Sequence, residues 1–158
     1  MTIETQDALQ RLLDEAEVRR LILTFSRALD EQDWESYANT FAPDGVFEIL
    51  GQRRVGRAEI GAGPARDLTR YERTQHYSTN HWIDVDGDRA TASHHLLAIH
   101  VPDAARPDRH ADIGGRYLCE CRRTDEGWRF SEVRLEVKWT GGIEFGIEPA
   151  IADAHDAG

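Results

Sequence analysis

Apolar positions recur with helical spacing across residues 6 to 31. Leu9, Leu12, Leu13, Ala16, Leu21, Phe25, Ala28 and Leu29 follow at intervals of three, four or one, with one longer gap bridged by Val18. Charged residues fill the other face and no Gly or Pro interrupts. The pattern predicts one long amphipathic helix with Asp7 as its candidate N-cap. Asp30 adjoins the apolar stripe at the C-terminal end, where the helix dipole is already negative. A carboxylate there calls for a partner, unless it only ends this helix and caps the next. A second, short helix is predicted from Asp33 to Phe41, with Trp34, Tyr37 and Phe41 inward and Pro43-Asp44-Gly45 as its stop. Val46 to Leu50 reads as a strand, and Gln52 to Gly56 as a short return strand. Arg57 to Tyr71 has helical composition broken by Gly61, Gly63 and Pro64, which suggests an irregular helix or a loop over a pocket.

From residue 74 the period changes to two. Strands are predicted at 74–85, 90–101, 113–123 and 128–140. Asp86-Gly87-Asp88 and Thr124-Asp125-Glu126-Gly127 mark turns, and Pro102 to Asp112 is a polar loop. Helices first and antiparallel strands afterwards define an α+β class, with helices packed on one face of a curved, mainly antiparallel sheet. Such a sheet, wrapped around the long helix, makes a cone with a pocket inside. The chain reads as a single domain over 1–158, with a core of about 6–140 and a tail, 141–158, whose apolar part docks and whose end is disordered.

The first long strand carries the candidate chemistry. Straight alternation places His76, Ser78, Asn80 and Trp82 on one face and Tyr77, Thr79, His81 and Ile83 on the other. A row of His, Ser and Asn fills a dry core poorly and lines a pocket well. On the next strand one of His94 and His95 must face that pocket. A tight turn favours His95, the alternation of Ala90, Ala92, Leu96 and Ala98 favours His94, and a bulge reconciles the two. His94 is the preferred candidate for a proton donor or pocket residue, and a surface or subunit-contact role stays open. Trp34, Tyr117 and Arg134 are further pocket candidates. Arg116 and Arg134 equally suit a solvated surface.

Composition narrows the partners. The formal net charge is −10 over 158 residues, which repels nucleic acid and anionic membrane. No apolar run reaches membrane-spanning length. The N-terminus lacks the basic and apolar parts of a signal peptide, so a cytoplasmic location is expected. Cys119 and Cys121 share a strand face and read as reduced, buried thiols. Seven histidines raise the question of metal. Asp30, His76 and His94 match a two-His-one-carboxylate set in type, but no tight His spacing supports it, and no metal or other cofactor is expected.

Four pieces of the chain together resemble the SnoaL-like branch of the nuclear-transport-factor-2-like superfamily. They are Ala28 to Trp34; Phe41 to Phe47; His76 to Asn80 with Val85 to Ala90; and Gly114 to Tyr117 with Asp125 to Phe130. Members resembling scytalone dehydratase and hexachlorocyclohexane dehydrochlorinase use an Asp–His pair in the cone, and Asp30 and His76 match those positions. Leu29 stands where scytalone dehydratase has a tyrosine, and Tyr117 and Cys119 occupy the region of its Ser/Asn pair. The tail Ile143 to Pro149 is similar to a dehydrochlorinase C-terminus that closes over its pocket. The resemblance implies a lyase of dehydratase or dehydrohalogenase type acting on a small hydrophobic cyclic substrate. An isomerase or polyketide cyclase with the same base is an alternative, and a non-catalytic binding protein another. Helices on the concave face leave Thr91, Leu97 and Ile99 or their neighbours exposed on the convex face, which predicts self-association; the resemblance suggests a trimer, and a dimer is the other option. Independently of any family, an ionised Asp bonded to one imidazole nitrogen fixes the tautomer and stabilises the imidazolium, so the other nitrogen takes a proton. The competing reading of His76 is a core histidine bonded to a backbone carbonyl.

Overall fold

A computed structural model describes residues 2–143. The expectations for the tail from residue 144 onward lie outside the described residues. The elements are α1 (Ile3–Asp30), α2 (Trp34–Asn39), β1 (Phe41–Ile49), β2 (Gln52–Val55), α3 (Arg57–Leu68), β3 (Arg73–Asp86), β4 (Arg89–Val101), β5 (Ala111–Thr124) and β6 (Gly127–Gly142). Six strands form one curved sheet in the order β2-β1-β6-β5-β4-β3. Only β1 and β6 run parallel. The sheet is mixed α+β as expected but is not closed, and β2 and β3 are its two edges. Among the described residues no helix is long and apolar enough to cross a membrane.

Phe25 of α1 sits at the centre of the core. Its ring lies 4.9 Å from Tyr37, 5.4 Å edge-on from Tyr117 and 5.7 Å edge-on from Phe130. Aromatic pairs at these separations add specific geometry to apolar burial. The buried face of α1 is Val18, Leu21, Ile22, Phe25, Ala28 and Leu29. The predicted stripe is wrong further toward the N-terminus: Leu9, Leu12 and Leu13 are 46%, 64% and 51% exposed. Asp14 is buried there instead, accepting from Arg123 Nη2 at 2.6 Å and Trp128 Nε1 at 3.2 Å. A buried carboxylate answered by three donors, Gln10 Nε2 at 3.2 Å being the third, replaces the apolar contact the periodicity implied. The cap also differs, because the Thr2 hydroxyl accepts from the Thr5 amide and Asp7 lies inside the helix.

Pro43-Asp44-Gly45 does not separate α2 from the sheet. It lies within β1, where pairing with β6 shifts register between Phe41 and Val46. A Cβ on Gly45 would stand 3.0 Å from the Ala42 carbonyl oxygen, so the irregular stretch needs the missing side chain. The expected break in 57–71 is absent, and α3 continues through Pro64. Packing accounts for its glycines. A Cβ on Gly61 would meet the Ala38 methyl at 3.2 Å, and one on Gly63 would overlap the Arg54 guanidinium at 2.1 Å. Close approach to neighbours here outweighs weak helix propensity.

On the sheet's outer face, Tyr77, Leu97, Gly114 and Trp139 fall in one cross-strand row. Trp139 folds over Gly114, where a Cβ would lie 2.1 Å from the indole. Thr91 and Leu97 are exposed as expected, and Ile99 is half-buried.

Candidate active site

α1 ends at Asp30 against the start of β3, and the edge strand answers its carboxylate with three donors. The Thr74 hydroxyl donates to Oδ1 at 3.0 Å, the His76 amide to Oδ2 at 3.0 Å, and His76 Nδ1 to Oδ1 at 2.6 Å. Burial pushes the Asp30 carboxyl up, but the His76 ring, the His76 amide and Thr74 outweigh it and hold the pKa below the usual value. An ionised carboxylate only accepts, so Nδ1 carries the hydrogen and Nε2 is left with its lone pair. The His76 side chain is 5% exposed and the Asp30 side chain 27%.

His76 lines a pocket built mainly from apolar groups: Leu29, Phe47, Ile49, Leu68, Leu96, Ala98, Ile113 and Leu135. Asp30 stands behind the histidine and outside that lining. His100, its ring 5.2 Å edge-on from His76, also lines the pocket. Its Nδ1 donates to the Ala111 carbonyl at 3.2 Å, and burial first, then the neighbouring His76, lower its pKa to about 4. It is therefore a neutral ring at pH 7. Arg54 and Asp67, paired at 2.9 Å, complete the polar part of the wall together with Tyr37 and Tyr117.

The remaining sequence candidates divide at one residue. Asn80 has φ +55° and pairing between β3 and β4 shifts register between Thr79 and Trp82. This bulge reverses the parity of the strand. Thr74, His76 and Ser78 face inward before it, and His81, Ile83 and Val85 face inward after it. Asn80 is exposed, and Trp82 is 75% exposed, so neither lies in the pocket where straight alternation placed them. Ser78 Oγ lies 2.8 Å from both His81 Nε2 and His94 Nδ1. Its single proton goes to one ring while it accepts from the other. His94, at 1% exposure, points inward and His95 outward. His94 stacks on Tyr117 at 4.9 Å and does not line the cavity. Tyr117 does. Trp34 packs against the core away from the lining. Arg134 is exposed and sits 3.7 Å from Glu136, and Arg116 donates to Ser93 on the outer face. Among the described residues no group of three His, Cys, Asp or Glu is arranged to hold a metal ion.

Sequence reasoning missed Arg54, Asp67 and His100. The inward parity of Gln52 and Arg54 on the short β2 was available in principle. The glycine that seats the guanidinium, Gly63, looked like a helix breaker.

Residues 10–134 match the SnoaL-like domain family. The chain belongs to that family. Among solved structures it resembles a protein from Novosphingobium aromaticivorans provisionally assigned as a scytalone dehydratase, with 22% identity, TM-score 0.77, and 92% of this chain and 97% of that one covered. It resembles a type 2 hexachlorocyclohexane dehydrochlorinase at 22% identity and TM-score 0.76, covering 91% of this chain and 99% of the other. A Nostoc punctiforme protein of unknown function with a cystatin-like fold matches at 27% identity and TM-score 0.69, covering 80% and 92%. No curated protein matches the chain.

Proposed function

We propose that this protein is a cofactor-independent lyase or isomerase acting on a small, mainly apolar molecule, with His76 as general base and Asp30 as the group that orients it. The observation that carries this reading is the 2.6 Å bond between His76 Nδ1 and Asp30 Oδ1 on a histidine that lines an apolar cavity. A carboxylate behind the ring stabilises the imidazolium that forms when Nε2 takes a proton from carbon. Fold similarity to a dehydrochlorinase and to a dehydratase candidate supports elimination of halide or water. Double-bond migration or cyclisation begins with the same proton transfer. The alternative of His76 as an inert core histidine bonded to a carbonyl does not match its partner, which is a carboxylate.

The test is a turnover screen of cyclic halides, β-hydroxy ketones and unsaturated ketones. A substrate found this way loses roughly 100- to 10,000-fold in kcat with His76→Gln, the range general-base assistance spans. Full turnover in that variant overturns the assignment of His76 as the base, and no turnover of any compound by wild-type protein moves a pure binding role ahead.

A further inference from the structure

Every described residue of the chain before Asp14 is exposed, so the first part of α1 is a helical arm without support from the sheet. Residues 3–13 make about three turns. An isolated helix that short is marginal in water, because most helical stability comes from packing an apolar face.

α1 carries such a face in addition to the one in the core. Leu9, Leu12, Ala16 and Leu23 are all exposed. Their steps are three, four and seven residues, and Arg19 divides the last into three and four. That is the seam spacing of two helices packed side by side. At about 100° per residue, the seam points away from Val18, Ile22, Phe25 and Leu29. It runs beside an open groove of about 740 Å³. Leu13, Ala16 and Arg20 form the α1 wall of this groove, Ser36 and Asn39 stand opposite on α2, and Arg129 lines it at the β5–β6 turn. Arg129 Nε is buried without a hydrogen-bond partner among the described residues.

Charge along α1 selects the occupant. Residues 3–17 carry Glu4, Asp7, Asp14, Glu15 and Glu17 against the single Arg11. Residues 18–29 carry Arg19, Arg20 and Arg27 and no acid. Arg19 and Arg27 each have a carboxylate one turn away, Glu15 and Glu31. Arg20 makes no ion pair or hydrogen bond among the described residues. The helix is therefore complementary to a reversed copy of itself. Two copies side by side in the same direction would set like halves together, in a chain whose net charge is already −10. In the opposite direction the acidic half of each meets the basic half of the other, and the helix dipoles also oppose.

We infer that two copies of this chain associate through antiparallel α1 helices, the arm of each lying along the outer face of the other's α1 and beside its groove. The contact is isologous, so each element of it is used twice. Matching the two seams sets Leu12 against the partner's Ala16, a large residue against a small one, and Thr5 against the partner's Leu23. This surface is separate from the outer sheet row of Tyr77, Leu97 and Trp139.

The test keeps the two surfaces apart by using a Leu97→Glu background, in which the sheet row carries a charge. Sedimentation at micromolar concentration should still report a dimer there. Adding Leu12→Glu should raise the dimer dissociation constant at least ~100-fold, because each dimer would then bury two carboxylates in an apolar seam. Leu12 lies outside the core, so the fold should be unchanged by circular dichroism. Wild-type protein supplies a readout that needs no substitution. Amide hydrogen exchange in residues 3–13 should be slow at high protein concentration and speed up on dilution, while residues 18–29 stay protected throughout. Orientation is read by cross-linking. Cys119 and Cys121 are buried, so oxidation of a mixture of Thr5→Cys and Leu23→Cys chains should give the mixed disulfide, and neither chain alone should form a linked dimer. A monomeric Leu97→Glu protein, a dimer that survives Leu12→Glu, exchange in residues 3–13 that is independent of concentration, or disulfides between like chains in place of the mixed one overturns the inference.

Discussion

Lowering the pH from 6.5 to 4 should destabilise this fold through two buried histidines. His94 and His100 are each 1% exposed. Burial is the largest cause in both cases, and it lowers each pKa from 6.5 to about 4. Facing His94 are His81 at 5.5 Å, Tyr117 and Ser78, none of which supplies a negative charge. The sign follows from proton counting. Between pH 6.5 and 4 the unfolded chain binds protons at these positions and the folded chain does not. Stability is therefore fully present above pH 6.5 and is lost as pH falls toward the folded value near 4. In mid-range the slope is about 1.4 kcal/mol per pH unit for each histidine, and the loss is about 3 kcal/mol each across the window. Against a typical total of roughly 5–15 kcal/mol, the pair is a large fraction. The assay is urea unfolding at a series of pH values for wild type and His94→Gln, a neutral side chain that keeps a polar atom near Ser78. The variant should be less stable at pH 7 and should show about half of the histidine-dependent slope, so that the two curves converge near pH 4. Parallel curves across the window would refute the claim that His94 is held neutral by the fold.

Three other outcomes are expected. Asp30→Asn should cost a large factor in turnover, and combined with His76→Gln it should cost little more than His76→Gln alone, because without the base there is no imidazolium to stabilise; a full product of the two losses, measured by single-turnover kinetics, would mean the residues act independently. Asp14→Asn removes a charge that answers Arg123 and Trp128 Nε1 and should lower stability by about 1–3 kcal/mol in denaturant unfolding, with no change in KM. The exposed outer row of Tyr77, Leu97 and Trp139, at 43%, 40% and 50%, is expected to mediate a dimer or trimer; light scattering at micromolar concentration should report an oligomer for wild type and a smaller species for Leu97→Glu, and a monomeric wild type would end the idea.

Strand positions were the most legible part of the chain, because β4 alternates cleanly and the β3–β4 and β5–β6 turns are marked by Gly with Asp or Glu. Helix existence was legible too, while the buried face was not. Leu9, Leu12 and Leu13 share a stripe with Leu21 and Phe25, and nothing local says that the sheet stops short of them. The pairing of Asp30 with His76 could be anticipated from an awkward carboxylate at a helix end. Ser78 and His94 were also anticipated as inward, yet Asn80 and Trp82 were misplaced, since a single left-handed residue inside a strand leaves no hydrophobic signature. Arg54 was invisible for a different reason. Its burial depends on a glycine in another element, and such a complementarity exists only once α3 lies across β2.

Asp30 and His76 gather at β3, and Arg54 stands on β2, at opposite ends of the strand order. His76 and Arg54 line one cavity because the four strands between bend far enough to bring the two edges together. The reach between the two ends is thus set by curvature, like the gap of a C-shaped clamp. Substitutions at the irregularities of β5 and β6, near Gly114 and Gly115 or near Glu120 and Cys121, would open or narrow that gap without touching any residue of the cavity wall. The width of the cavity thus has a mechanical handle in the middle of the sheet, independent of the side chains held at either rim.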